Sequence, residues 1–120
     1  MKYKVLWSKS IIRKWFRRDF EFLENWESMK LKITQRYDSE GDFGNIIEDL
    51  DFDKESVTLT LSSGKTILIN KQTPRHEIWL SSPISGAWHF SFKEEEQKWI
   101  SSDGYHLLQR IDTDINSIIN

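Results

Sequence analysis

Apolar residues in the first third of the chain recur every three or four positions. Phe22, Trp26, Met29, Ile33 and Tyr37 fall on one face of a helix predicted from Asp19 to about Tyr37. The stretch Asp38-Ser39-Glu40-Gly41-Asp42-Phe43-Gly44-Asn45 has turn chemistry and no period, so it reads as a loop. Beyond it the period falls to two. Ile46 to Phe52 sets Leu50 and Phe52 against Asp49 and Asp51, and Val57, Leu59 and Leu61 alternate with Thr58 and Thr60 after a turn at Lys54-Glu55-Ser56. A second turn, Ser62-Ser63-Gly64-Lys65, precedes a strand from Thr66 to Asn70. Ile78 to Ser81, Trp88 to Phe92 and Trp99 to Ser101 supply three more. With Ser102 or Asp103 as N-cap, Leu108, Ile111, Ile115 and Ile118 return to helical spacing and predict a closing helix.

Connections this short cannot carry parallel crossovers, so the roughly six strands should form a largely antiparallel sheet. Two amphipathic helices flanking such a run are best buried together on one sheet face. The expected fold is α+β: a two-layer α/β sandwich whose N- and C-terminal helices share one face and leave the other open to binding. The length of 120 residues, with 38% hydrophobic and 13% aromatic content, supports a single core. The run Glu94-Glu95-Glu96 reads as a solvated turn.

Charge divides the chain. Met1 to Arg18 holds seven of the 17 Lys and Arg residues and none of the 19 Asp and Glu, so residues 19–120 are markedly acidic. An acid-free, Arg- and Ser-containing amphipathic start resembles an organelle targeting segment. Two other readings stay open: a helix capped by Ser8 or Ser10, with Ile12, Trp15 and Phe16 extending the apolar face of the domain at 19–120, or a surface for an acidic partner. The acidic remainder argues against nucleic acid as a partner. No apolar run approaches the roughly 20 residues of a membrane span. The absence of cysteine excludes a thiol nucleophile, a thiolate zinc site and a cysteine-ligated iron–sulfur cluster held on this chain.

In Ile69 to Phe90, INKQTPRHEIWLSSPISGAWHF, Trp79 has the opposite parity to Ile78 and Leu80. If those two face the helices, Trp79 faces away, beside Asn70 and Gln72, as a large aromatic suited to protein recognition. The alternative is that a neighbouring loop or strand covers it. This segment closely resembles the signature of the frataxin family, where a strand ending N-K-Q-T-P is followed by I-W-L-S-S-P and a glycine turn. The leading helix, the acid-rich approach to the first strand, V-x-L-x-L in the second, Trp99 opening the sixth, and Asp103-Gly104 before the last helix agree with it. The resemblance runs from Asp19 to the end of the chain.

The resemblance implies that Asn70, Gln72, Trp79 and His89 contact a cysteine desulfurase and its iron–sulfur scaffold protein. His89 departs from the arginine usual in eukaryotic frataxins, and an imidazole cannot form the bidentate fork of a guanidinium. Phe92 stands where a tryptophan is usual, a change confined to packing. His76 and His106 have no sequence partner that marks them as metal ligands.

Successive 100° rotations place Glu24, Glu27 and Asp38 on one flank of the first helix, with Glu21 nearer the other. The resemblance implies that these carboxylates, joined by Asp42, Asp49 and Asp51, bind iron. Oxygen ligands alone suit hard cations, weakly held and exchangeable. Two carboxylates about 7 Å apart repel by roughly 0.6 kcal/mol in water and about 2.4 at an effective dielectric of 20, which a cation relieves. The bland reading is a solvated acidic face, and Lys30, Lys32 and Arg36 interrupt it.

The function implied is an iron-binding accessory or regulator of iron–sulfur cluster assembly. It would be a monomer or an iron-dependent oligomer, with no catalytic residue of its own, in a mitochondrion or related organelle or else in bacterial cytoplasm. The alternative is a ferroxidase, iron-storage or iron-delivery protein acting on its own carboxylates. That chemistry favours converging Glu-x-x-His ligands, which the sequence lacks.

Overall fold

In the structure, a computed structural model, the backbone is described for residues 2–38 and 41–119 and the side chains for residues 17–38 and 41–119. Helix α1 spans Lys2–Arg36. It is already helical at Lys2, so neither Ser8 nor Ser10 caps it; the proposed contributions of Ile12, Trp15 and Phe16 to its apolar face lie outside the described side chains. The stripe inferred from spacing is the buried one: Trp26, Ile33 and Tyr37 are fully buried, with Phe22 and Met29 close behind. Trp26 also donates its indole N–H to the Lys54 carbonyl at 3.0 Å, and the Lys30 ammonium donates to the Asp53 carbonyl at 3.1 Å. These bonds tie α1 to the first hairpin.

That hairpin joins β1 (Ile47–Phe52) to β2 (Ser56–Leu61), and β3 (Thr66–Gln72), β4 (Glu77–Ser82), β5 (Gly86–Lys93) and β6 (Lys98–Ser101) follow. Among the described residues these six strands form one sheet in sequence order, every neighbouring pair antiparallel. The Asp53 carboxylate organises the β1–β2 turn by accepting the Glu55 and Ser56 N–H groups, both at 2.8 Å. The same two bonds lower its pKa from the usual aspartate value. Register places Leu50 opposite Leu59 and Phe52 opposite Val57, the face expected for both. Phe52 is nevertheless 57% exposed, because it ends an edge strand, with the Lys30 ammonium 5.9 Å from its ring centre.

Helix α2 spans Leu107–Ile119 and buries Leu107, Ile111, Asp114 and Ile115. Its start corrects the expected cap at Ser102 or Asp103. Ser101 to Gly104 instead form a tight turn with Gly104 at φ +87°, and the bridge from Ile100 to His106 keeps the chain paired to the sheet edge until one residue before the helix. The buried stripe therefore begins at Leu107, and Leu108 is only half-buried.

Two polar clusters fasten the helix layer. Tyr37 donates its hydroxyl to Asp112 at 2.6 Å, and Arg36 makes two parallel bonds to the same carboxylate, joining the end of α1 to α2. Burial, then the hydrogen bond to Asp112, drives the Tyr37 phenol well above its ordinary range. At the other cluster, fully buried Asp114 accepts from Ser85 (2.6 Å) and Arg110 (2.9 Å), and Ser85 in turn accepts from the Trp88 indole (2.9 Å). The Arg110 guanidinium lies 5.1 Å from both the Trp88 and Tyr105 ring centres.

Because the Tyr37 phenol is raised on folding, its stabilisation is complete below about pH 10 and is lost as pH rises above that value, where the unfolded chain ionises first. Tyr37→Phe should cost about 1–2 kcal/mol in urea unfolding at pH 7 and should flatten the loss of stability above pH 10. An unchanged alkaline slope would show that the Tyr37 phenol, raised by burial and then by Asp112, contributes nothing to it.

Candidate functional site on the open face of the sheet

Strand β4 gives Ile78, Leu80 and Ser82 to the helix side, all buried, which leaves Glu77, Trp79 and Ser81 on the other. Register extends this division across the sheet. Trp79 lies between Asn70 on β3 and His89 on β5, and Glu77 lies between Gln72 and Ser91. The four residues expected to meet a partner, Asn70, Gln72, Trp79 and His89, therefore share the open face and occupy adjacent rows. All four stand on strands, so the sheet ladder fixes their spacing.

Trp79 is half-buried, and what lies against it is His89. The two rings stack with centres 4.3 Å apart and an angle of 7° between planes. The Trp79 indole N–H donates to a Glu77 carboxylate oxygen at 2.9 Å. That same oxygen is 3.4 Å from Arg75 Nε and 3.9 Å from His89 Nδ1. Arg75 belongs to the 3-10 turn Thr73–Arg75 between β3 and β4. Glu77 was not singled out by sequence reasoning, although its i, i+2 relation to Trp79 on one strand was the signal that placed it on the same face.

The carboxylates expected to bind iron are more dispersed. Glu24 and Glu27 are exposed on α1, and Glu27 is paired with Lys30 at 3.1 Å. Asp38 lies two residues past the last helical position, so helical rotation does not set its direction, and Asp42 is exposed in the loop before β1. Asp49 and Asp51 pair with Thr60 and Thr58, which puts them at the β1 edge of the open face. Among the described residues no group of three or more His, Cys, Asp or Glu is placed to hold a metal ion. His76 is occupied structurally: at φ 51° it ends the 3-10 turn, stacks on Phe22 at 5.1 Å and meets Asp19 at 2.5 Å. His106 is half-buried where the chain enters α2.

A concavity of about 450 Å³ lies on the helix side, between α1, α2 and β6, lined by Met29, Trp99 and the Arg36–Asp112 pair among others. Its position gives it no connection to the Trp79 row. The open face offers instead a shallow aromatic platform with polar neighbours, which suits recognition of another protein's surface.

The family model for the frataxin-like domain matches residues 16–120. The mitochondrial frataxin of Arabidopsis thaliana is 40% identical over 63 residues, covering 49% of this chain and 34% of that protein. The iron-sulfur cluster assembly protein CyaY of Haemophilus influenzae is 35% identical over 86 residues, covering 70% of this chain and 76% of that protein. The chain thus spans about a third of the length of the mitochondrial frataxins it matches. Among solved structures, frataxin from Psychromonas ingrahamii superposes with a TM-score of 0.71 at 24% identity, covering 82% of this chain and 89% of that one. Trimeric frataxin of Saccharomyces cerevisiae, complexed with ferrous iron, gives 0.55 at 23% identity over 82% of each chain. These two likenesses speak for the fold.

Trp79 and Trp26 should separate surface from core. Trp26→Ala removes a side chain with no exposed area and should cost about 3–5 kcal/mol in urea unfolding, whereas Trp79→Ala should cost about 1 kcal/mol. Comparable losses would place Trp79 in the core.

Proposed function

This chain belongs to the frataxin family, and from that premise we propose that it assists iron–sulfur cluster assembly as an accessory that docks on the cysteine desulfurase–scaffold complex. The observation that carries this reading is the stacked Trp79–His89 pair on the open sheet face, in one row with Asn70 and beside Gln72. Docking of this kind uses no side-chain chemistry on the accessory. The platform supplies apolar contact, and the amides of Asn70 and Gln72 supply hydrogen bonds that fix orientation.

Where eukaryotic frataxins carry an arginine, His89 gives this chain a shorter, flat partner to Trp79. The interface should rely more on stacking and less on a forked ion pair. The assembly role rests on the name of the Haemophilus relative, and the mitochondrial location on the names of the eukaryotic ones; the cytoplasm of a bacterium is the alternative. Residues 1–18 would then act as the targeting segment ahead of the domain at 19–120.

Iron enters as cargo. Glu24, Glu27, Asp38, Asp42, Asp49 and Asp51 would hold it one or two carboxylates at a time, largely through water, which gives loose and exchangeable binding. The sequence lacks the Glu-x-x-His pairs that ferroxidase chemistry favours, so the accessory ranks ahead of the ferroxidase.

In cluster formation on a reconstituted desulfurase and scaffold, Trp79→Ala should abolish the rate change that the wild-type protein produces, while a Glu24→Gln, Glu27→Gln, Asp38→Asn variant keeps most of it. The docking reading fails if Trp79→Ala behaves as wild type and the carboxylate variant alone is inactive. In iron competition titrations the same triple variant should bind about tenfold more weakly. Unchanged affinity would remove these three residues from the iron site.

A further inference from the structure

Trp79 projects from an open face, and an unfastened indole there would have to be ordered each time a partner docks. Ordering a side chain costs roughly a factor of two to ten in affinity. In this chain one residue removes that freedom. Glu77 sits two positions earlier on the same strand, and its carboxylate oxygen accepts the Trp79 indole N–H at 2.9 Å. The carboxylate is itself held: it is only 21% exposed, Arg75 Nε lies 3.4 Å away, and His89 Nδ1 approaches to 3.9 Å. With the indole edge anchored at Glu77, the ring is turned so that its face meets the His89 imidazole at 7°.

We propose that Glu77 is a positioning residue of the docking face, fixing the plane of Trp79 through the indole N–H so that Trp79 and His89 meet the partner as one preformed flat platform. The inference rests on the docking reading above and adds to it the group that prepares the platform. The hydrogen bond to the indole is the operative contact. The Arg75 guanidinium, 3.4 Å away, holds the carboxylate in place and offsets its negative charge on a face meant for an apolar contact. The partner surface that fits is therefore apolar or planar, large enough to cover two stacked rings, and without a cationic group directed at Glu77.

The test compares Glu77→Ala, Glu77→Gln and Trp79→Ala in the full chain, reading both affinity for the desulfurase–scaffold complex and the Trp79 indole N–H resonance, identified by its loss in Trp79→Phe. Glu77→Ala should move that resonance and weaken binding about fivefold. Glu77→Gln, whose amide oxygen still accepts from the indole, should leave the resonance near its wild-type position and bind within about twofold of wild type. Wild-type binding by Glu77→Ala, or equal losses in the two Glu77 variants, would overturn the positioning role while leaving the docking reading intact, provided Trp79→Ala does not bind. Full binding by Trp79→Ala would overturn both.

Discussion

Side chains of a β-strand alternate between its two faces, and β4 shows how much follows from that constraint. Its aliphatic residues Ile78 and Leu80 are fully covered by the helix layer. A strand that commits these two inward has no means of burying the residue between them, so the largest side chain of β4 is delivered to the face that the helices leave open. The register of β3 and β5 then decides its company: an amide on one side and an imidazole on the other. The candidate site is thus a by-product of the core pattern.

The helix layer makes that commitment secure. Burying Ile78 and Leu80 depends on α1 and α2 staying on the sheet, and apolar contact alone has little directional preference. The Tyr37–Asp112–Arg36 cluster fixes how the end of α1 meets α2, and the Asp114–Ser85–Trp88 chain fixes α2 against the β4–β5 turn. Both clusters use carboxylates from α2, two residues apart, aimed at different elements.

Periodicity made most of this legible. The stripe from Phe22 to Tyr37, the alternation in β2 and the parity of β4 each follow from spacing alone, and all three are in the structure as read. What escaped were features that depend on neighbours distant in sequence. Helix α2 begins at Leu107 because the chain is still bridged to Ile100, a contact that no local capping rule encodes. Phe52 is apolar and correctly faced yet exposed, because it ends an edge strand paired on one side only, to β2. Glu77 fell outside the strand expected from Ile78, and its role depends on Trp79, Arg75 and His89 converging on one of its oxygens. The acidic residues were placed by type and by helical rotation, and among the described residues they do not gather in a group of three or more.

The strand order, with each strand beside its neighbour in sequence, also bears on how the molecule is made. Five hairpins with short connections can zip one after another as the chain leaves the ribosome, each closing a small loop. The tie between Tyr37 and Asp112 spans 75 residues and cannot form until α2 has been synthesised. Until then the sheet has only the first helix to cover its apolar face, so the interval before α2 emerges is one in which that face is open to chaperones and to aggregation.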